Sequence, residues 1–455
     1  MPGNETSQKE AMPRHQRMAE AVLRLLARHG AAAGALGVRL GAAGLAYLLQ
    51  IVLARSLSAA DYGTFSFAWS LVTIGGFLAT LGFGQIAVRF LAQYHENGEF
   101  GLARGFIRTG IAASLIGSLV IGGFAILIQP ILEVGYGPVC ATVLAVGLIA
   151  LPFFSLTDFM EGLARSQGWT IRALVPPYIV RQGVLILLLL GAMLFGLKIG
   201  AEKAMAGALL ATALAALVQV ALISGPLKAI FPREPAAYRL GVWRLAAQPT
   251  LLSDLALLAR QNIDLILLGL MAPPEAVGIY FAATRVASLL GLIDFAIGAA
   301  FGHRFARAIR QENGLADPAD LRPLYAEARR MTAIPGVFAA TMLMLATPIF
   351  MMLFGPAFAA SVVPAQILLA AGAMKLVIGP AEDALAMAGH PETVWRANAV
   401  GALVMGGLCL ALIPLHQAIG AALAAAGGIV AANLMMLIGL DRLLGIRPFM
   451  KAAAA

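Results

Sequence analysis

LARSLSAADYGTFSFA at residues 53–68 and LGLMAPPEAVGIYFAA at residues 268–283 align without a gap at an offset of 215. Leu53, Gly63, Phe65 and Ala68 fall on Leu268, Gly278, Tyr280 and Ala283. Each stretch ends one apolar segment, makes a short turn and enters the next. A chain that repeats itself at this distance is built of two similar halves. Six apolar segments lie in each half. Six is even, so both halves take the same orientation in a membrane, related by an axis along its normal.

The apolar windows fall at 34–54, 64–88, 106–128, 139–159, 172–197, 204–225, 246–270, 276–300, 331–354, 362–384, 396–414 and 417–440. Each is long enough to cross about 30 Å of hydrocarbon at roughly 1.5 Å per residue. Alternating ten-residue barrel strands are absent, which leaves helices. Composition agrees: 60% of the 455 residues are hydrophobic and 12% charged, against about 25% charged in a soluble domain. The expected fold is an all-α integral membrane protein of about twelve transmembrane helices, in two six-helix lobes around a central cavity. The corresponding divisions are a basic N-terminal segment (1–33), an N-lobe (34–225), a linker (226–245), a C-lobe (246–440) and a tail (441–455).

The loops alternate in charge. Of 32 Lys and Arg, 24 fall in segments on the N-terminal side of the membrane and only Arg55, Lys198 and Lys203 on the other. Such a bias places both termini in the cytoplasm. The basic residues are spread over short loops, so the net charge of +9 reads as membrane topology and not as a nucleic-acid surface. Arg17 to Arg28 can form a basic amphipathic helix on the inner leaflet, and Asp317-Pro318 reads as a helix start. The first 30 residues are polar and basic, and no cleavable signal peptide is expected. Cys140 and Cys409 are far apart in apolar stretches, which implies no disulfide framework. No metal or cofactor is expected.

Five basic residues fall inside the windows: Arg39, Arg181, Arg260, Arg285 and Lys375. Each costs roughly 2.5–3.5 kcal/mol at mid-bilayer on insertion scales, so they face water or the lobe interface unless they snorkel. The clear intramembrane acids are Asp254, Asp264 and Asp294. The surplus of cations points to an anionic guest, held in a central cavity lined by Arg181, Arg260 and Arg285. Counted from the outer face, Arg285, Arg260, Arg181, Lys375 and Arg39 lie at depths of roughly 13, 15, 17, 20 and 22 Å. Guanidinium forks suit a diphosphate, because paired hydrogen bonds replace the water it sheds. Plainer readings stand beside this one. Arg39 and Lys375 can snorkel. Arg260 and Asp264, four apart on one helix face, can form an intrahelical pair. Asp254 and Asp294 can pair with cationic neighbours or titrate. Arg181 and Arg285 have no acid at helical spacing in their own windows. Pro176-Pro177, Pro249, Pro335 and Pro380 interrupt windows and free backbone carbonyls.

Leu53-Ala54-Arg55 followed by Asp61-Tyr62-Gly63 resembles the first hairpin of bacterial polysaccharide transporters. Leu81-Gly82-Phe83-Gly84 with Arg89 resembles the end of their second helix. Asn262-Ile263-Asp264 with Leu267-Leu268-Gly269, then Val277-Gly278-Ile279-Tyr280 and Ala283-Thr284-Arg285, is similar to their seventh and eighth helices. These are the O-antigen and lipid-linked oligosaccharide flippases of the multidrug/oligosaccharidyl-lipid/polysaccharide exporter superfamily. Length and span count match over nearly the whole chain. Lipid II flippases of the same superfamily resemble it too, but usually carry two further helices.

The resemblance implies a flippase that moves an undecaprenyl-diphosphate-linked oligosaccharide (an O-antigen, capsule or exopolysaccharide unit) to the outer leaflet of the bacterial inner membrane by alternating access. The implied partners are that lipid-linked glycan, membrane lipids, and a glycan polymerase and glycosyltransferases. Two other classes compete. A multidrug or organic-cation antiporter of the superfamily calls for acids in the cavity. A membrane glycan polymerase or ligase calls for acidic or histidine groups near a membrane face; the outer loops here are short and hold one histidine, His416, so no enzyme is expected. No phosphate-binding loop of the G-x-x-x-x-G-K-[ST] type is present, and Asp264 is the first candidate for coupling to an ion gradient.

Overall fold

The computed structural model describes residues 37–38, 41–232, 234–294, 297, 301, 304–305 and 318–447. Arg39 and the expected amphipathic stretch 17–28 lie outside these residues, as does Asp317 of the expected helix start. The described residues are helical throughout apart from short turns. Fourteen α-helices carry the description of these residues: α1 (Gly41–Ser56), α2 (Ala59–Ala79), α3 (Phe83–Glu96), α4 (Phe100–Leu148), α5 (Leu151–Ser166), α6 (Thr170–Val175), α7 (Arg181–Leu194), α8 (Ala201–Ile230), α9 (Leu240–Met271), α10 (Pro274–Ala287), α11 (Pro318–Phe354), α12 (Val362–Ile378), a short connector α13 (Ala381–Met387) and a closing helix α14 (Pro391–Leu444).

Among the described residues, eight helices are long and apolar enough to cross a membrane, nine counting the pair Val139–Leu148 and Leu151–Ser166, which bends by 43°. The chain is thus an all-α multi-pass membrane protein. The count of twelve meets three local obstacles. α1 is a shorter apolar helix. α9 carries Asp254, Arg260, Gln261, Asn262 and Asp264 along its length, which lowers its hydropathy. α14 has 54 residues and takes non-helical angles at Gln417 (φ 46°, ψ −119°). It turns back on itself there: a Cβ added at Gly401 would stand 2.8 Å from the carbonyl oxygen of Gly428, 27 positions on. Windows eleven and twelve are therefore two antiparallel arms of one hairpin.

Breakers act unequally. Pro176 and Pro177 open a π-helical turn, Pro176–Val180, between α6 and α7, and such turns concentrate at functional sites. Pro249 and Pro335, expected to interrupt their windows, lie inside continuous helices; neighbouring helices in a bundle supply what the lost N–H would have given. Leu81 (φ 50°) and Gly82 (φ 79°) break the second window between α2 and α3.

The repeat stretches pack against each other. A Cβ added at Gly63 would stand 1.8 Å from the carbonyl oxygen of Pro274 and 2.7 Å from the amide of Gly278. One added at Gly278 would stand 2.4 Å from the carbonyl oxygen of Ala59 and 3.1 Å from the amide of Gly63. Residues 59 and 274 are again 215 apart, so the contact of α2 with α10 is two-fold in kind. Glycine alone permits this approach, as at small-residue helix crossings in membranes generally. Tyr62, fully buried, meets Phe281 and Phe358 edge-on at the same level. Asp61 joins a further helix: its Oδ1 accepts from the amide of Ala201 at the start of α8 (3.2 Å).

At the opposite side the segment between α8 and α9 is tied to the first half. Ala237 donates its amide to Gly101 O (2.9 Å), Arg104 donates to Glu234 O (2.6 Å), and Trp243, fully buried, donates Nε1–H to Tyr94 Oη (2.8 Å). The stretch expected as a linker is thus docked along its length, and the first turns of α9 pack with residues of α3 to α5.

Candidate functional site

The π-helical turn sets the first site residue. Arg181 follows it directly at the start of α7 and lies against two rings, Phe154 at 5.0 Å and Trp69 at 5.8 Å from the guanidinium carbon. Cation–π contacts of this kind are worth about 0.5–2 kcal/mol each, most where water is excluded. Arg285, in the last turn of α10, lies over Phe281 at 4.3 Å. Rings hold both guanidinium groups in place.

These two arginines come from opposite halves and face one cavity of about 160 Å³ at the seam. Gln50, Trp69 and Gln182 complete its polar lining. No acid is among the described residues that line it. Two buried polar atoms on the lining, Arg285 Nε and Gln182 Oε1, have no hydrogen-bond partner among the described residues. A buried unpartnered donor costs roughly 1–3 kcal/mol, and more when charged, so the arrangement fits a guest that supplies the acceptor. The carboxyl groups of Glu161 and Asp264 lie within electrostatic reach of Arg181 and Arg285 respectively, from outside the lining.

Arg260 is not part of this cavity, against the expectation of one central site shared by Arg181, Arg260 and Arg285. It lines a second space inside the second half, of about 510 Å³, together with Asp294, Lys375, Glu382, Asp383, Asn398 and Asn433. α9 carries Arg260 on a face turned into the second half, whereas Arg285 on α10 points to the seam. An ion pair of Arg260 with Asp264 is absent among the described residues. Asp264 instead accepts a short hydrogen bond from Tyr280 Oη and one from the amide of Leu265 (2.8 Å). Lys375, with no acid at helical spacing in its own window, pairs across helices with Asp294 at 2.6 Å. Asp254 lines neither cavity; it lies in the electrostatic reach of Asp158. Glu161 pairs with Arg165 at 3.7 Å.

Several lining residues carry little signal in sequence. Gln182 neighbours Arg181 and follows the Pro-Pro break, which marks the spot. Asn433 interrupts an apolar run, and a polar residue in such a run is a pointer of the same kind. Glu382 and Asp383 fall at the edge of a window, where acids usually meet water.

The described residues thus form a multi-pass helical bundle with a cationic pocket where its two halves meet. The sequence signature of the family described as "Polysaccharide biosynthesis protein" matches residues 34–301, more than half of the chain, and the chain belongs to that family. No curated protein sequence matches it significantly. Among solved structures, an inward-facing multidrug resistance MATE family transporter of the MOP superfamily superposes with a TM-score of 0.73 at 15% identity, over 89% of this chain and 96% of that one. The lipid II flippase MurJ in an inward closed conformation gives 0.66 at 12% identity, over 90% and 87%. An outward-facing MATE family transporter gives 0.57 at 17% identity, over 91% and 96%. These likenesses establish the fold.

Proposed function

We propose that this protein is a flippase that carries an undecaprenyl-diphosphate-linked oligosaccharide from the cytoplasmic to the outer leaflet of a bacterial inner membrane. The observation that carries the reading is the seam cavity, where Arg181 and Arg285 from opposite halves converge with no acid on the lining. A diphosphate enters the low-dielectric interior only if its water is replaced by donors, and two guanidinium groups offer them in paired geometry. An organic-cation antiporter would need the reverse polarity at this point. Membership of the polysaccharide biosynthesis family supports the glycan, and the charge bias of the loops supports both termini in the cytoplasm.

Alternating access is the mode of transport in this reading. The two halves touch at Gly63 and Gly278 on the side that the charge bias assigns to the outside. The seam cavity is lined by residues of both halves. Binding at residues of both halves gives the guest different affinity for states in which the halves are differently tilted, which is what moves such an equilibrium. The implied partners are the lipid-linked glycan, surrounding lipids, and the glycosyltransferases and glycan polymerase that make and use it.

The test is surface glycan export in cells whose own transporter is deleted. Arg181→Ala and Arg285→Ala each abolish export while membrane levels of the protein are unchanged. Normal glycan in both variants at normal expression overturns the reading.

A further inference from the structure

The second half encloses space that the seam arginines do not reach. The cavity of about 510 Å³ adjoins one of about 330 Å³ that shares Arg260, Asp294, Lys375 and Met405 and extends to Asp264 and Tyr280. Sites for small organic ligands fall between about 300 and 1,000 Å³. Both cavities flank α10: Arg285 points to the seam, while Tyr280, Thr284 and Ser288, four residues apart in turn, line the second space.

The polarity of the lining is opposite to that of the seam. Two bases, Arg260 and Lys375, face four acids, Asp264, Asp294, Glu382 and Asp383, and Lys375 is already paired with Asp294. An anion gains nothing by moving here from the seam. The remaining groups are those that bind hydroxyls. A sugar hydroxyl both donates and accepts, so it wants carboxylate or amide oxygens beside N–H donors. Asn433 uses Nδ2 on Ile429 O (2.8 Å) and keeps Oδ1 for a guest. Asn398 Nδ2 makes only a long contact of 3.4 Å to Glu382, and Arg260 has no partner among the described residues. Gly291, Gly379, Gly401 and Gly428 leave the walls without side chains, and Met405 and Ile429 add apolar surface for the C–H face of a pyranose ring.

We propose that this cavity is a glycan subsite, which takes the first sugars of the substrate while Arg181 and Arg285 hold the diphosphate. It rests on the substrate class proposed above and divides the head group between two places on either side of α10.

The experiment is site-directed alkylation of the purified full-length protein. Cys140 and Cys409, both buried, are replaced by Ala, and Gln182→Cys reports on the seam. Asn433→Cys and Asn398→Cys report independently on the second cavity, so that one misfolded variant leaves the other. N-ethylmaleimide is applied with undecaprenyl diphosphate, or with the same lipid carrying one hexose or N-acetylhexosamine. At a ligand concentration of about ten times its dissociation constant, mass action slows reaction of an occluded thiol roughly tenfold. The expected result is slowing of Gln182→Cys by both lipids, and slowing of Asn433→Cys and Asn398→Cys by the glycosylated lipid alone. Protection of Gln182→Cys alone by the glycosylated lipid overturns the glycan subsite and leaves the flippase reading intact. Protection of all three thiols by the sugar-free lipid also overturns it. Failure of both lipids to protect Gln182→Cys overturns the diphosphate reading together with this one.

Discussion

Gly63 and Gly278 occupy equivalent positions of an internal repeat, and each admits the backbone of the other's helix at a distance no Cβ tolerates. Ala59 O and Pro274 O, the atoms they admit, are themselves related by the same offset. The seal between the halves is therefore backbone against backbone, without a side chain that can swing aside. It opens only by separation of α2 from α10. Overpacking a close contact costs about 1–3 kcal/mol. That moves a two-state equilibrium by roughly ten- to hundredfold toward the state in which the helices part. Gly63→Val and Gly278→Val are expected to insert normally, to lose glycan export, and to expose the seam from outside. The check is labelling of Gln50→Cys by a membrane-impermeant maleimide in intact cells. Unchanged labelling in both valine variants refutes the seal.

Arg181 and Arg285 share one cavity, so their losses should not add. Each alanine variant removes charge-assisted hydrogen bonds worth about 1.5–3 kcal/mol, a loss of roughly 10- to 150-fold in affinity for undecaprenyl diphosphate. The double variant is expected to lose little more than either single one, because a diphosphate held by one guanidinium is already misplaced. Lysine at either position keeps the charge and loses the fork and the ring contacts, and is expected to restore binding only in part. Binding is measured by quenching of Trp69, which lines the same cavity. Strict additivity would mean that the two arginines act at separate places.

The Lys375–Asp294 pair is short, at 2.6 Å, but its side chains are 40% and 38% exposed to the second cavity. Exposed pairs couple by about 0.2–1 kcal/mol. A double-mutant cycle of Lys375→Met and Asp294→Asn, read by thermal unfolding in detergent, is expected to give a coupling in that range. Each single variant should melt lower than the double one, since each leaves a lone charge. Equal melting of all four proteins would show that water already screens the pair.

Much of the fold was legible because a bilayer leaves few choices. Hydropathy located the apolar crossings, and the offset of 215 marked two equivalent stretches, which the structure then packs against each other. What escaped were directions. Arg260 and Asp264 are four apart, and spacing alone favours their pairing; Tyr280, from another helix, takes the carboxylate instead. Lys375 looked unpaired because Asp294 lies 81 residues away in the chain. The hairpin at Gln417 and the docking of Trp243 on Tyr94 likewise depend on contacts between distant residues, which periodicity within one segment does not carry. Arg181 and Arg285 were legible as candidates because neither had a local acid; their sharing of one cavity was expected, whereas the place of Arg260 in a different space was not.

Asp264 bears on energy coupling through Arg285. Its carboxylate accepts from Tyr280 Oη and from the amide of Leu265, and Arg285 is an arginine that acts on it electrostatically. Asp264 and a diphosphate therefore compete for Arg285 and not for Arg260. With Asp264 ionised, its charge opposes that of an incoming diphosphate at the seam; with Asp264 neutral, Arg285 is wholly available to the guest. Proton binding at Asp264 and diphosphate binding at Arg285 then favour each other, and by linkage the effect is reciprocal. Asp264→Asn keeps an oxygen for Tyr280 and removes the charge. In vesicles with an imposed proton gradient, the parent is expected to accelerate flipping and the variant to run at one rate with or without the gradient. Tyr280→Phe serves as the control, because it removes the hydrogen bond and keeps the carboxylate, and should still respond to the gradient. If Asp264→Asn responds as the parent does, the carboxylate is structural and the coupling group lies elsewhere in the bundle.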